Sequence, residues 1–281
     1  MEKIYKMAVC DIDGTLLNDK GKITAENKKA VTKMKKNGFI FALCTGRNIK
    51  RAVPIAKKLG ITTPVVCIDG ILLYDVSNKN TVYKNTLKRE TVERLVDIGE
   101  KYEIFTEISN GYGYFKMLPG KESESLDFYH RHDFYGKVKN YFAGIRYFGS
   151  YSRLKKVKGD IYQVVLATKS RDKNKIKSDI LALGDSDIEI RDSLWDGYMF
   201  INKAGAGKAA GVKELCKIYG INSDQTVAFG DDNNDTDMLI ECGVGIAMGN
   251  ANENVKKYAD TVISTNNESG VAKGLYRYFD I

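Results

Sequence analysis

The hexapeptide Asp11-Ile12-Asp13-Gly14-Thr15-Leu16 puts two carboxylates two residues apart, directly after an apolar run. A carboxylate can attack phosphorus and form an aspartyl-phosphate, which splits one difficult displacement into two easier ones. A second carboxyl beside it can protonate the leaving oxygen and then take a proton from the attacking water. The other reading is an acidic turn that caps the next element, but chance assembly of this hexapeptide at average composition is on the order of one in a thousand or rarer. Thr45-Gly46-Arg47 follows a second apolar run; its hydroxyl and the N–H groups of its glycine turn suit phosphoryl oxygens, or simply end a strand. Lys208 follows Gly205-Ala206-Gly207 and opens a helix, where it is either a point charge for phosphate or a solvated side chain. Ala209 after it excludes a Walker A loop. Gly230-Asp231-Asp232-Asn233-Asn234-Asp235 supplies hard oxygen donors suited to magnesium, or an Asp/Asn turn capping the next helix.

The elements around these residues alternate strand and helix. Ile4 to Cys10, Phe39 to Cys44 and Val65 to Ile68 are continuous apolar runs, as expected for parallel strands covered on both faces. Thr24 to Lys36 carries Ala30, Val31 and Met34 at helical spacing, and Pro54 interrupts the next helical stretch or marks a late start. The pattern resumes with a helix from Lys208, a strand at Thr226 to Phe229, a helix from Asp235, strands at Val244 to Met248 and Thr261 to Ser264, and a helix at Gly270 to Phe279. Between lies a different rhythm, a helix followed by two strands, occurring twice: Lys88 to Lys101 with Glu103 to Ile108 and Tyr112 to Leu118, then Asp172 to Leu183 with Ile188 to Ile190 and Tyr198 to Ile201. The strand-borne motifs can then meet at one sheet edge, where open parallel sheets bind ligands.

Composition sets the frame. The 281 residues are 43% hydrophobic and 28% charged, an ordinary globular balance. No apolar run approaches the roughly 20 residues of a membrane helix. Met1 to Lys6 leads straight into a strand-like segment rather than a signal peptide, so the expected location is cytoplasmic. The five cysteines, without CxxC spacing, read as reduced buried thiols. The net charge of +8 reads as a lysine-rich solvated surface, because no stretch concentrates basic residues with aromatics.

Together the motifs resemble the haloacid dehalogenase superfamily and, within it, the Cof-like phosphatases, which carry a large α/β cap between the second and third motifs. Met248-Gly249-Asn250-Ala251 and Asn267 to Val271 resemble that subgroup's C-terminal pattern. The motifs span both core segments; the middle matches in position, size and element order. The resemblance implies an α/β fold: a Rossmann-like parallel-sheet core, three layers α/β/α, over residues 1–84 and 198–281, with an inserted α+β cap over 85–197. It implies magnesium-dependent hydrolysis of small-molecule phosphomonoesters, such as sugar phosphates, flavin mononucleotide or pyridoxal phosphate, through an aspartyl-phosphate. Asp11 would be the nucleophile and Asp13 the general acid/base. Mg2+ would be held by the Asp11 carboxylate, the Asp13 backbone carbonyl and Asp231, with Asp235 acting through water or as support. Thr45, the Gly46 N–H and Lys208 would bind the phosphoryl group, with Asn234 close by. The expected partner is a phosphorylated small molecule, not nucleic acid or membrane, and the expected state is a monomer or homodimer.

Two positions depart from the subgroup. Asp69-Gly70 stands where Asn-Gly is usual, and its acid would repel phosphate unless Arg47 or Lys208 pairs with it; Ala209 stands where Gly is usual. The cap is expected to set specificity by excluding water and touching the leaving group. His130 and His132 read as a polar cap loop rather than a second metal site, and Phe128, Tyr129, Phe134 and Tyr135 as cap core rather than pocket. A phosphomutase of the same superfamily and a non-catalytic binder of phospho-ligands or nucleic acid are the alternative functions.

Overall fold

Met7 to Cys10 form strand β1, a short apolar run in which every residue is buried, so both faces of the strand are covered. The computed structural model describes residues 5–117, 119, 143–168, 172–192 and 197–281; His130, His132, Phe128, Tyr129, Phe134 and Tyr135 lie outside the described residues. Helix α1 (Ala25–Lys36) is capped by Thr24, whose hydroxyl accepts from the Asn27 N–H at 3.2 Å. It buries Ala30, Val31 and Met34 and ends in Lys33, Lys35 and Lys36, which complement its dipole. Strand β2 (Ile40–Leu43) leads to helix α2 (Ile49–Lys58), which begins at the Asn48 cap and runs through Pro54 without stopping. Its buried face of Ile49, Ala52, Ile55 and Ala56 holds it against the proline, which costs about 3 kcal/mol inside a helix. Strands β3 (Val65–Cys67), β4 (Leu72–Asp75) and β5 (Asn80–Lys84) form an antiparallel ladder.

Next come helix α3 (Arg89–Lys101), strands β6 (Thr106–Ser109), β7 (Tyr114–Met117) and β8 (Ile145–Phe148), helix α4 (Tyr151–Lys155), strand β9 (Gln163–Ala167), helix α5 (Lys173–Leu181), and strands β10 (Ile188–Asp192) and β11 (Tyr198–Lys203). These strands make one sheet in the order β10-β11-β9-β6-β7-β8. One face packs on the helices through Val92, Leu95, Ile108, Val164, Leu166, Met199 and Ile201. β8, α4 and β9 were not anticipated: they break the expected twofold helix–strand–strand rhythm, and β9 sits centrally between β11 and β6.

The chain returns with helix α6 (Lys208–Tyr219), strand β12 (Thr226–Gly230), helix α7 (Thr236–Glu241), strand β13 (Val244–Ala247), helix α8 (Glu253–Tyr258), strand β14 (Thr261–Val262) and helix α9 (Gly270–Tyr278). The remaining, five-stranded sheet is parallel, in the order β14-β13-β12-β1-β2, and a parallel bridge from Cys44 to Val66 sets β3 beside the end of β2. The chain thus divides into two compact units, Met1–Lys84 with Ala206–Ile281, and Asn85–Gly205. The expected boundary before residue 198 moves to follow Gly205, because β11 pairs on both sides within the second unit's sheet. No helix among the described residues is long and apolar enough to cross a membrane.

Register positions the chemistry. Cys10 lies opposite Leu43 of β2 and Phe229 of β12. The next residues, Asp11, Cys44-Thr45 and, one position past Gly230 at the end of β12, Asp231, therefore lie at the same carboxyl edge of the sheet.

Candidate active site

Lys208 opens α6 with its side chain 1% exposed, and its Nζ lies 2.6 Å from Asp11 Oδ1 and 2.6 Å from Asp235 Oδ1. Its ammonium thus bridges the loop after β1 to the loop after β12. Burial works against the charge, but Asp11 and Asp235 outweigh it and hold the Lys208 pKa well above the ordinary lysine value. The cluster contains more carboxylates than cations. Burial accordingly raises the Asp11 carboxyl well above its usual range against the pull of Lys208, with Asp235 and Asp231 adding to the rise. Among the described residues, Asp11 Oδ2 takes no hydrogen bond, so this oxygen is available to a ligand or substrate.

Asp235 is built into its loop. Its Oδ2 accepts the backbone N–H groups of Asp231 at 2.9 Å and Asp232 at 3.0 Å, while Oδ1 takes Lys208. Asp231 receives the Thr15 hydroxyl at 2.6 Å. Burial pushes the Asp231 carboxyl up to about 7 despite that bond, with Asp235 and Asp232 adding repulsion. Gly14 makes this approach possible: its φ is +75°, and a Cβ there would lie 2.1 Å from Asp231 Oδ2. Asn250 closes the other side of that loop, its Nδ2 donating to the Gly14 carbonyl at 2.8 Å.

Carboxylate oxygens of Asp11, Asp231 and Asp235 lie within 4.8 Å of one another. Every donor in this set is an oxygen, and one ammonium leaves the three carboxylates under-neutralised, so the residues fit a hard divalent cation. The Asp13 carboxylate is not part of the cluster. It is 59% exposed and forms a two-pronged ion pair with Arg47, whose Nε donates to Oδ2 at 2.6 Å and whose Nη2 donates to Oδ1.

The sequence pattern missed several of these partners. Thr15 and Asn250 stood inside recognised stretches with no task assigned, and their partners lie 216 and 236 positions away in the chain. Asp69 pairs with neither Arg47 nor Lys208; its Oδ1 accepts from Asn234 Nδ2 at 2.7 Å. Thr45 and Gly46 follow β2 at the same sheet edge, with the Thr45 hydroxyl accepting from the Arg47 N–H at 3.2 Å. The five cysteines are free and buried. Cys10 and Cys44 adjoin the site, and burial pushes both thiols well up, away from reactivity.

A parallel sheet whose carboxyl edge gathers buried acids around one lysine defines an α/β core with an acidic cluster that could hold a divalent cation. A family model described as haloacid dehalogenase-like hydrolase matches residues 8–275. The chain is 28% identical to the 5-amino-6-(5-phospho-D-ribitylamino)uracil phosphatase YitU of Bacillus subtilis, over 99% of both chains. It is 27% identical to the phosphatase YwpJ of the same organism, over 95% of this chain and 97% of that one. A crystal structure of a haloacid dehalogenase-like hydrolase from Bacteroides thetaiotaomicron superposes with a TM-score of 0.79 at 25% identity, covering 98% of this chain and 100% of the other. The chain belongs to the haloacid dehalogenase-like hydrolase family, and as an enzyme it is a phosphatase of that family.

Proposed function

We propose that the protein hydrolyses small phosphomonoesters through an aspartyl-phosphate on Asp11. The observation that carries this reading is the buried Lys208 clamped between Asp11 and Asp235, with Asp231 beside them. An ammonium there holds the nucleophile's Oδ1 and leaves Oδ2 free to attack.

The Asp11 oxygen attacks phosphorus as the bond to the ester oxygen breaks, and Asp13 gives its proton to that oxygen. Water then attacks the phosphoryl group, Asp13 takes the water's proton, and phosphate leaves with Asp11 restored. For this task the Asp13 side chain leaves Arg47 and takes up a proton from solvent before it meets the leaving oxygen, and its exposure gives it room to turn. Thr45, the Gly46 N–H, Lys208 and Asn234 hold the phosphoryl oxygens. Asp11, the Asp13 carbonyl and Asp231 would hold Mg2+, with Asp235 fixing the loop. The cation supplies charge neutralisation that lets a carboxylate approach a phosphate. Asp13 and Asp11 then need only hold and pass one proton and one phosphoryl group.

The inserted unit takes the role of the cap that sets specificity. Sugar-alcohol and cofactor monophosphates are the substrate class, in keeping with the ribityl phosphate named for the B. subtilis relative. We place the protein in the cytoplasm, where its buried thiols stay reduced.

The test is phosphate release from sugar phosphates, a ribityl phosphate, flavin mononucleotide and pyridoxal phosphate, with magnesium and with EDTA. Magnesium-dependent release that disappears in Asp11→Asn is expected. Undiminished turnover by that variant would remove Asp11 from the reaction.

A further inference from the structure

Three consecutive residues after β3 adopt left-handed backbone: Ile68 (φ 49°), Asp69 (φ 50°) and Gly70 (φ 89°). Isoleucine is branched at Cβ, so its presence there is a genuine outlier that the surroundings must hold in place. The restraints are visible. The Ile68 N–H donates to the Arg47 carbonyl at 3.1 Å, and the Asp69 N–H donates to the Thr45 carbonyl at 3.1 Å. On the far side, a Cβ on Gly70 would fall 1.7 Å from the Gly207 carbonyl oxygen, so the turn presses directly on the residue before Lys208. The strained turn is therefore wedged between the Thr45–Arg47 loop and the start of α6.

What the turn delivers is the Asp69 carboxylate. A Cβ built on Gly46 would lie 3.0 Å from Asp69 Oδ1 and 3.3 Å from Oδ2, so this acid stands over the glycine turn. Its Oδ1 also accepts from Asn234 Nδ2 at 2.7 Å, which ties it to the loop after β12. Among the described residues it forms no ion pair: Arg47 is engaged by Asp13 and Lys208 by Asp11 and Asp235, and Asp69 adds only a weaker, longer-range pull on Lys208. An amide in its place would keep the bond from Asn234, so the negative charge is a separate feature of the site.

We propose that Asp69 is a specificity residue that reads the chemical group next to the phosphate ester. This inference rests on Thr45, Gly46 and Asn234 holding the phosphoryl group. Asp69 accepts a hydrogen bond from a hydroxyl or ammonium on the carbon beside the ester, and it repels a carboxylate or second phosphate there. The preferred substrates are monophosphates of polyols and aminoalcohols, and phospho-acids and bisphosphates are disfavoured.

The experiment compares Asp69→Asn with the wild type on glycerol 3-phosphate and 2-phosphoglycolate, which put a hydroxyl and a carboxylate beside similar esters. Asparagine accepts left-handed backbone readily and keeps an acceptor for Asn234, so the exchange removes charge while retaining the turn. The readout is the ratio of kcat/KM for the two substrates, in which any loss of folded enzyme cancels. The wild type should favour the hydroxyl compound by about tenfold or more, and the variant should shrink that ratio by about tenfold. Turnover with a ratio unmoved from the wild-type value would overturn the role of Asp69 alone. No phosphate release by the wild type from these two compounds or from an aryl phosphate would overturn the reading of the whole site.

Discussion

Asp231, in the first unit, is pushed up to about 7, mainly by burial. In the second unit Asp179, Asp185 and Asp192 are held below the ordinary carboxylate range, chiefly by hydrogen bonds from Lys101, Thr91 and Lys173. Both units have an apolar core and a sheet packed on helices; they differ in where they keep their charge. The first unit buries one cluster of it: Lys208 is 1% exposed and its two carboxylate partners 8% and 1%. The second keeps most of its ion pairs nearer the surface, as in Lys101 and Asp179, 59% and 30% exposed, with Lys116 and Glu107, 12% and 10% exposed, as the exception among the described residues. Acids whose charged form is disfavoured by folding weaken the fold, and they gather at functional sites because the cost is repaid when a ligand arrives. Asp179, Asp185 and Asp192 instead favour the folded state slightly.

The contrast is broken most directly at its centre. Lys208→Met removes the ammonium and leaves Asp11 and Asp235 buried without a cation, a change that costs about 3–5 kcal/mol where one partner of a buried pair is deleted. Phosphate release should fall by about a thousandfold as the charge beside the phosphoryl group disappears. Urea unfolding with EDTA present and steady-state turnover with magnesium check the two effects separately. A variant as stable as the wild type would mean that the lysine is not needed to hold the acids together.

How much of this was legible follows from the same division of charge. Buried continuous strands such as Met7–Cys10 and Thr226–Gly230 announce themselves, and the acid, hydroxyl and lysine motifs sit just past them or at a helix start. Their positions were thus readable before any pairing was known. The pairings were not: Thr15 with Asp231, Asn250 with Gly14, and Asp69 with Asn234 each join segments more than 160 residues apart, and nothing local in either segment names the other. The pairing that would offset the repulsion of phosphate by Asp69, with Arg47 or Lys208, is not formed, because both cations engage other acids. In the second unit, Tyr198 to Ile201 follows the inserted helix–strand–strand rhythm although the expected core boundary lay before residue 198. Only its ladders to β10 and β9 assign it.

A substitution at Asp231 sharpens the comparison by inverting the usual sign. Its folded pKa lies above the ordinary value, so in the metal-free protein its charge opposes folding above pH 7, and the penalty fades as pH falls toward the ordinary carboxylate range. Asp231→Asn keeps an oxygen for the Thr15 hydroxyl and removes the charge. With EDTA at pH 8 it should stabilise the protein by about 2–4 kcal/mol, and the gain should vanish near pH 4. Destabilisation at pH 8 would show that the carboxylate is held by more than Thr15 and that the first unit does not store the cost described.

The smallest effect belongs to the second unit, and its sign is opposite. Asp179 has a folded pKa below the ordinary value, first because the Lys101 ammonium donates to it at 2.6 Å and then because the Tyr102 hydroxyl donates at 2.8 Å. Its contribution is present above the ordinary carboxylate range and is lost as pH falls through the folded value. Asp179→Asn should therefore lower stability slightly at neutral pH and match the wild type in strong acid. Solvent and salt screen an exposed pair, so the neutral-pH deficit should shrink further at high ionic strength. Paired melting curves of Asp179→Asn and Asp231→Asn at pH 8 with EDTA would then move in opposite directions from the wild type, with the larger displacement in the first unit. If both moved downward by similar amounts, acids in the two units would be serving the fold alike, and the parallel sheet's edge would have lost its claim to be the place where stability is given up for chemistry.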